Sequence, residues 1–200
     1  MTADNSSSLL FARLNAYSKS RSALAIAFLW GMAEATLFFI VPDVYLGFVA
    51  LFNWRRGLLA TVFTIIGAMI GGAIMYSLAL NNPQGMAELL TRVPLIHANM
   101  ANSVGEQMQL AGLNPLILGP LKGIPYKVYA VQAGALGLPF LPFLLLTILA
   151  RLERILPFVL VSACVGVLFR NFIQQRTRLV IGLYAALWLG IYGIYYLRFR

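Results

Sequence analysis

The sequence has few of the residues on which most enzymes and metalloproteins depend. Its 200 residues include one cysteine, Cys164, one histidine, His97, and only six acidic residues. A single cysteine excludes an internal disulfide framework, and no cluster of histidine, cysteine and acid has metal-ligand spacing. No nucleophile–histidine–acid set can be assembled, and no glycine-rich phosphate loop follows a strand pattern. We therefore expect no enzymatic activity, no cofactor and no metal site.

Charged residues are also scarce, at 10% of the chain, whereas 60% of it is hydrophobic. A soluble domain has about 25% charged and about 45–50% apolar residues. This composition predicts an all-α polytopic membrane protein. The polar N-terminus has no cleavage signal after a short apolar core, so we expect it not to be a cleaved leader.

The net charge is +9, from fifteen basic and six acidic residues. The bases stand in small groups beside apolar segments, such as Lys19 with Arg21 and Arg55 with Arg56. This is the juxtamembrane pattern that sets topology and meets anionic lipid. We therefore reject nucleic acid as a partner, and the groups near the start favour a cytoplasmic N-terminus.

We divide the chain into a polar and basic segment 1–21, a membrane domain 22–170, and a basic turn with a final helix 171–200. Within the membrane domain, the polar composition of residues 81–111 predicts an extramembrane connector. Residues 100–110 of this connector are predicted to form an amphipathic surface helix. Residues 57–80 read as a clean span. There Gly67, Gly71 and Gly72 allow close approach of another helix.

Two apolar segments are interrupted. Residues 22–52 are too long for one span of about 20 residues and too short for two. We expect a helix to about residue 40, a break at Pro42, and a short segment to residue 52. In the second half, 113–121 is followed by a break containing Gly123 and Pro125, and then by a segment to residue 137. Paired interrupted segments of this kind mark binding sites in transporters.

Six charges lie at or near these breaks, and charges at bilayer depth are functional by default. They are Glu34, Asp43, Lys122, Lys127, Arg151 and Arg154. We assign the carboxylates to proton coupling and the bases to binding of an anion such as a lipid phosphate, beside a helix N-terminus at Pro125. The two arginines share one face of a single helix over about 143–169. Alternatively, the charges only form internal salt bridges, and the lysines snorkel to a head-group interface.

The same residues resemble a known family. Glu34-Ala-Thr-Leu-Phe-Phe-Ile-Val-Pro-Asp43 is similar to the first signature of the DedA superfamily, also called SNARE-associated or VTT-domain proteins. Gly67 to Tyr76 resembles its glycine-rich helix, and Lys122-Gly-Ile-Pro-Tyr-Lys127 resembles its second signature in the form of the YqaA-like branch. The chain departs from the common pattern at Val41 and Gly72, and it has lysines where arginine is usual.

The resemblance implies two re-entrant hairpins that face each other and are surrounded by several transmembrane helices. It also implies flipping or scrambling of phospholipids or polyprenyl phosphate, dependence on the proton motive force, and a role in envelope homeostasis. The family's functional positions correspond to Glu34, Asp43, Lys122 and Lys127.

We therefore predict a multi-pass protein of the bacterial inner membrane that transports an anionic lipid or lipid-linked phosphate. Its partners would be membrane lipid, protons and, in a homo-oligomer, copies of itself. A small-solute or ion/proton antiporter is the alternative within the transport class. A non-transporting scaffold is the alternative outside it, and it predicts a dry, neutralised charge cluster instead of a water-accessible cavity.

Overall fold

The structure, a computed structural model, describes residues 2–199, with side chains described from Ser6 to Leu197. Over this range the chain is helical and has no strand, so the predicted all-α fold is confirmed. The helices are α1 Thr2–Ser18, α2 Arg21–Ala35, α3 Asp43–Phe52, α4 Trp54–Asn81, α5 Pro83–Thr91, α6 Ala98–Ala111, α7 Pro115–Leu118, α8 Tyr126–Ala135, α9 Phe140–Leu168, α10 Arg170–Gln175 and α11 Thr177–Phe199, with a 3-10 turn at Pro120–Lys122.

The first break is wider than the sequence predicted. Helix α2 ends at Ala35, so the expected end near residue 40 is wrong. The Thr36 hydroxyl donates to the carbonyl oxygens of Met32 and Ala33, at 3.2 and 2.8 Å. Side-chain bonds of this kind compete with the helix for its last carbonyls. Residues 36–42 therefore leave the helix, and α3 begins directly after Pro42.

Helices α2 and α4 run parallel in close contact. The Thr64 hydroxyl donates to the Ala27 carbonyl at 3.0 Å. A Cβ on Gly67 would lie 2.1 Å from the Phe28 carbonyl oxygen, and one on Gly71 would lie 2.6 Å from that of Met32. The small residues of α4 thus permit backbone contact with α2.

The opposite face of α4 is apolar and exposed. It carries Leu59, Val62, Ile66, Ile70, Ile74 and Leu78. Helix α4 and residues Thr177–Leu197 of α11 are both long and apolar enough to cross a membrane. Helix α9 has 29 residues but carries three charges near its middle, at Arg151, Glu153 and Arg154.

The second break is followed by α8, which packs on α4. Gly123 ends the 3-10 turn with φ +90°, a conformation that favours glycine. Helix α8 begins at Tyr126, so Lys127 lies in its first turn and not in the break. Gly72 lies against the Tyr126 hydroxyl. The connector helix predicted at 100–110 is confirmed as α6, whose buried Val104 and Met108 belong to the same apolar core as Val128 of α8.

Helix α5, in the predicted connector 81–111, was not predicted from the sequence, and neither were two further helices. The N-terminal segment forms α1, and the expected basic turn 170–178 contains α10. Tertiary packing explains why α1 and α10 form, because Phe11 and Ile173 are buried with Leu51 and Phe52 in one cluster. The predicted single helix bearing both arginines is confirmed as α9, which begins at Phe140 and contains Pro157.

Helices α2, α4 and α11 begin at the same end of the molecule, which we call the basic end. Helix α3 returns to it before α4 starts, and Gly166 near the end of α9 contacts Leu51. The Thr177 hydroxyl donates to the Ser7 carbonyl at 3.1 Å, which places the start of α11 beside α1. The break 36–42 therefore lies away from this end.

Candidate functional site

A cavity of about 380 Å³ lies where the two breaks meet. Its walls come from residues 39–43, the loop 93–96, residues 120–125, the start of α8, and the middle parts of α9 and α11. Four charged side chains line it, namely Glu34, Asp43, Lys127 and Arg154. The structure thus brings residues from both interrupted segments to one site.

Arg151 and Glu34 form a buried ion pair beneath this cavity. Arg151 Nη2 lies 2.6 Å from Glu34 Oε2, and the two side chains are 1% and 3% exposed. The pair is close, but its angles do not make an aligned hydrogen bond, and Nε and Nη1 have no hydrogen-bond partner among the described residues. The guanidinium also lies 4.2 Å from the ring centroid of Tyr126. Coulomb attraction and the cation–π contact therefore hold Arg151.

Asp43 and Arg154 form a second, looser pair. Arg154 Nη2 donates to Asp43 Oδ2 at 3.4 Å. Asp43 is buried in the first turn of α3, where the helix dipole favours a carboxylate. Arg154 is 22% exposed and lines the cavity, so this pair can be opened more easily than the first.

Lys127 is buried without a counter-ion. Its side chain is 2% exposed and its Nζ donates to the Phe38 carbonyl at 3.0 Å, which ties α8 to the first break. No carboxylate among residues 6–197 forms an ion pair with it. The cluster therefore has three cations, Lys127, Arg151 and Arg154, against two carboxylates. Glu34 is near enough to attract Lys127 without forming an ion pair with it, and the cluster as a whole has one more cation than carboxylate.

The other residues predicted for this site take different positions. Lys122 is exposed and does not line the cavity, so its assignment to anion binding stays a prediction without a contact behind it. Gly123 and Pro125 do line the cavity. Pro42 precedes α3 at the end of the first break.

The contribution of α11 to the site was not predicted from the sequence. The Val41 amide donates to the Tyr192 hydroxyl at 2.8 Å, and the Tyr195 hydroxyl donates to the Gly123 carbonyl at 3.1 Å. Tyr184 donates to the Val44 carbonyl at 2.8 Å. Residues 184, 188, 192 and 195 are spaced to share one helical face, and this spacing was the available signal. Helix α11 thus closes one side of the cavity and binds both breaks.

We expect Tyr192→Phe to loosen the first break without unfolding the protein. The substitution removes the acceptor of the Val41 amide, and a hydrogen bond of this kind contributes about 0.5–1.5 kcal/mol. Hydrogen–deuterium exchange of peptides covering 37–46 should therefore accelerate by about two- to tenfold. Ile194→Leu, at an exposed site on the same helix, is the control and should leave exchange unchanged. Equal exchange in both variants would contradict the role of α11.

The comparisons with known proteins give one similarity. No family model matches the chain, and no solved structure matches it. The chain is 28% identical over 140 residues to an uncharacterized protein of Haemophilus influenzae, and this alignment covers 70% of the present chain and 72% of the relative. The similarity extends over most of both proteins, and the description of the relative names no activity.

Proposed function

We propose that this protein is a membrane transporter of the flippase or scramblase type for an anionic lipid or lipid-linked phosphate, and that it belongs to the DedA superfamily. The observation that carries the proposal is Lys127, a buried cation without a carboxylate partner that faces a cavity between two chain breaks. A buried cation outside any ion pair is costly, and a bound anion would compensate it.

The helix lengths support a membrane setting with two re-entrant hairpins. Helices α2, α3 and α8 have 15, 10 and 10 residues. At 1.5 Å per residue they reach about 22 Å and about 15 Å, short of a hydrocarbon core of about 30 Å. The first hairpin would enter from the basic end and the second from the opposite end. Their breaks would meet at the cavity, where irregular backbone is tolerated at membrane depth.

The surface also supports this setting. The outward stripe of α4 and the exposed leucines of α11, such as Leu183, Leu187 and Leu197, are exposed apolar surface of the kind that contacts a membrane or a partner. Basic residues gather at the basic end, at Lys19, Arg21, Arg55, Arg56, Arg170, Arg176 and Arg178. The positive-inside rule places that end, and with it the N-terminus, in the cytoplasm of a bacterial cell.

The geometry suggests how binding and proton movement are linked. Phosphate oxygens would approach Lys127 and the free amides at the start of α8, where the helix dipole favours an anion. Arg154 would join them when Asp43 takes up a proton and releases the guanidinium. Loss of that proton to the other side would restore the pair and expel the anion. Phe158, Trp188 and Ile191 give the cavity the apolar wall that a lipid requires.

The test compares two lysines that lie five positions apart. Lys127→Met and Lys122→Met would each be reconstituted in liposomes with fluorescent phosphatidylglycerol, and head-group exposure would be followed with and without a pH gradient. We expect Lys127→Met to reduce transfer to the protein-free rate, because the buried positive charge at the cavity is lost. Lys122→Met should move lipid like the parent, since Lys122 lies outside the cavity.

Other outcomes favour the alternatives. A parent protein that moves a soluble phosphate anion with protons, and no lipid, would be a small-solute antiporter. The two ion pairs at Arg151 and Arg154 favour a scaffold, in which the charges only hold the segments together. A parent that transports neither lipid nor soluble anion under any gradient would support that scaffold and overturn the proposal.

A further inference from the structure

A second cavity, of about 310 Å³, lies at the basic end and shares no lining residue with the first. We call it the basic cavity. It lies between the end of α1, the α3–α4 turn and the end of α9. Its polar lining residues are Asn15, Lys19, Asn53, Arg55 and Arg170.

The charged residues that line the basic cavity are all cations. Lys19, Arg55 and Arg170 come from three separate parts of the chain, and no carboxylate lines the cavity. Among the described side chains, none of the three forms an ion pair. Arg55 lies over the Trp54 ring and Arg170 over the Phe11 ring, at 5.2 and 6.0 Å. All three cations are exposed, so an anion in the cavity can reach them, and it would be attracted to each.

Uncharged hydrogen-bond donors at the basic cavity also favour an anion. Asn53 accepts a hydrogen bond from the Arg56 amide and donates one to Asn15 Oδ1, both at 3.2 Å. The oxygen of Asn15 is thus occupied, and its amide nitrogen remains available as a donor. Helix α4 begins at Trp54, so the first amides of a 28-residue helix lie at this cavity and favour a negative group.

The apolar side of the cavity favours a lipid over a soluble anion. Phe11, Leu51 and Phe52 line it beside the cations. On α9, Val167 lines the cavity and is 57% exposed, and Leu160, seven positions earlier on the same helical face, is 45% exposed. Trp54 is exposed at the cavity, as aromatic residues are at a membrane interface. A phosphate held by the three cations would have its acyl chains beside α9.

We propose that the basic cavity binds the phosphate head group of an anionic membrane lipid as a resident ligand at the cytoplasmic interface. Lys19, Arg55 and Arg170 contact the phosphate oxygens, and the exposed face of α9 accommodates the chains. Basic pockets between helices at this depth bind such head groups. The proposal is independent of transport through the central cavity, because it predicts binding and not movement.

The test uses two triple variants of equal charge. Lys19→Gln, Arg55→Gln and Arg170→Gln are combined in one, and Arg56→Gln, Arg176→Gln and Arg178→Gln, which lie outside the cavity lining, in the other. Delipidated protein in detergent is titrated with phosphatidylglycerol and, separately, with phosphatidylcholine, and binding is read by native mass spectrometry. We expect the cavity variant to lose on the order of 100-fold in affinity for phosphatidylglycerol and the control to lose about twofold or less.

Three outcomes would overturn the proposal. Equal losses in the two variants would mean that the basic end attracts lipid only through its total charge. Equal affinity of the parent for phosphatidylcholine would show that binding does not depend on an anionic head group. A titration with inorganic phosphate distinguishes the source of the phosphate. Binding of inorganic phosphate that depends on the three cavity residues, without binding of phosphatidylglycerol, would identify a soluble anion and not a lipid.

Discussion

Replacing Glu34 with glutamine should destabilise the protein by about 3–5 kcal/mol, the usual cost of breaking one side of a buried ion pair. The substitution leaves the Arg151 guanidinium 1% exposed, without its carboxylate and with three nitrogens that already have no hydrogen-bond partner among the described residues. The Tyr126 ring compensates only part of that charge. The measurement is the free energy of unfolding in mixed micelles titrated with sodium dodecyl sulfate.

Two further variants show whether the buried charge is the cause. Combining Glu34→Gln with Arg151→Met removes both charges, and it should recover most of the lost stability. Glu153→Gln changes another acid, two positions from Arg151 in α9, which forms no ion pair among the described residues. This control should stay within about 0.5 kcal/mol of the parent. A single Glu34→Gln variant as stable as the parent would show that Arg151 does not depend on this carboxylate.

Replacing Gly67 with leucine should separate α2 from α4 and lower the unfolding free energy by about 3 kcal/mol, the upper part of the range for overpacking. Even a Cβ at this position would lie 2.1 Å from the Phe28 carbonyl oxygen, which is backbone and cannot rotate away. The same titration in mixed micelles measures the loss. If the protein transports lipid as proposed, the movement should also lower lipid transfer, since Glu34 is on α2.

Gly190→Leu is the matched control for this change. It places the same side chain in α11, where a Cβ would meet nothing within 4 Å. Both substitutions bring the same gain in helix propensity, so the difference between them isolates the contact with α2. Equal stability of the two variants would contradict the close packing of α2 on α4.

The sequence was sufficient to predict the helical class, the two interruptions and the arginine pair on one helix, because these follow from hydropathy, proline and spacing. The predicted start of the first break, after residue 40, was wrong. Pro42 is a visible helix breaker, whereas the hydroxyl of Thr36 ends α2 through bonds to its own helix that no composition reveals. Such a competition between side chain and backbone is decided by local geometry.

The two lysines show a second limit. Lys122 and Lys127 stood on equal terms as cations beside a break, and the resemblance included both. The start of α8 decides between them, because a helix beginning at Tyr126 turns Lys127 inward while Lys122 remains exposed. The contacts of α11 with both breaks are harder to predict from the sequence, because Val41 and Tyr192 are 151 positions apart. Pairings of that range depend on the whole fold.

The ion pair between Glu34 and Arg151 also sets an order for biosynthesis. Arg151 follows Glu34 by 117 positions (151 minus 34), and the chain leaves the ribosome at about 5–20 residues per second. The carboxylate therefore waits on the order of 10 s for its partner. During that interval α2 holds an acid that no later segment has yet neutralised. The final environment of Glu34 is therefore complete only after α9 has been made.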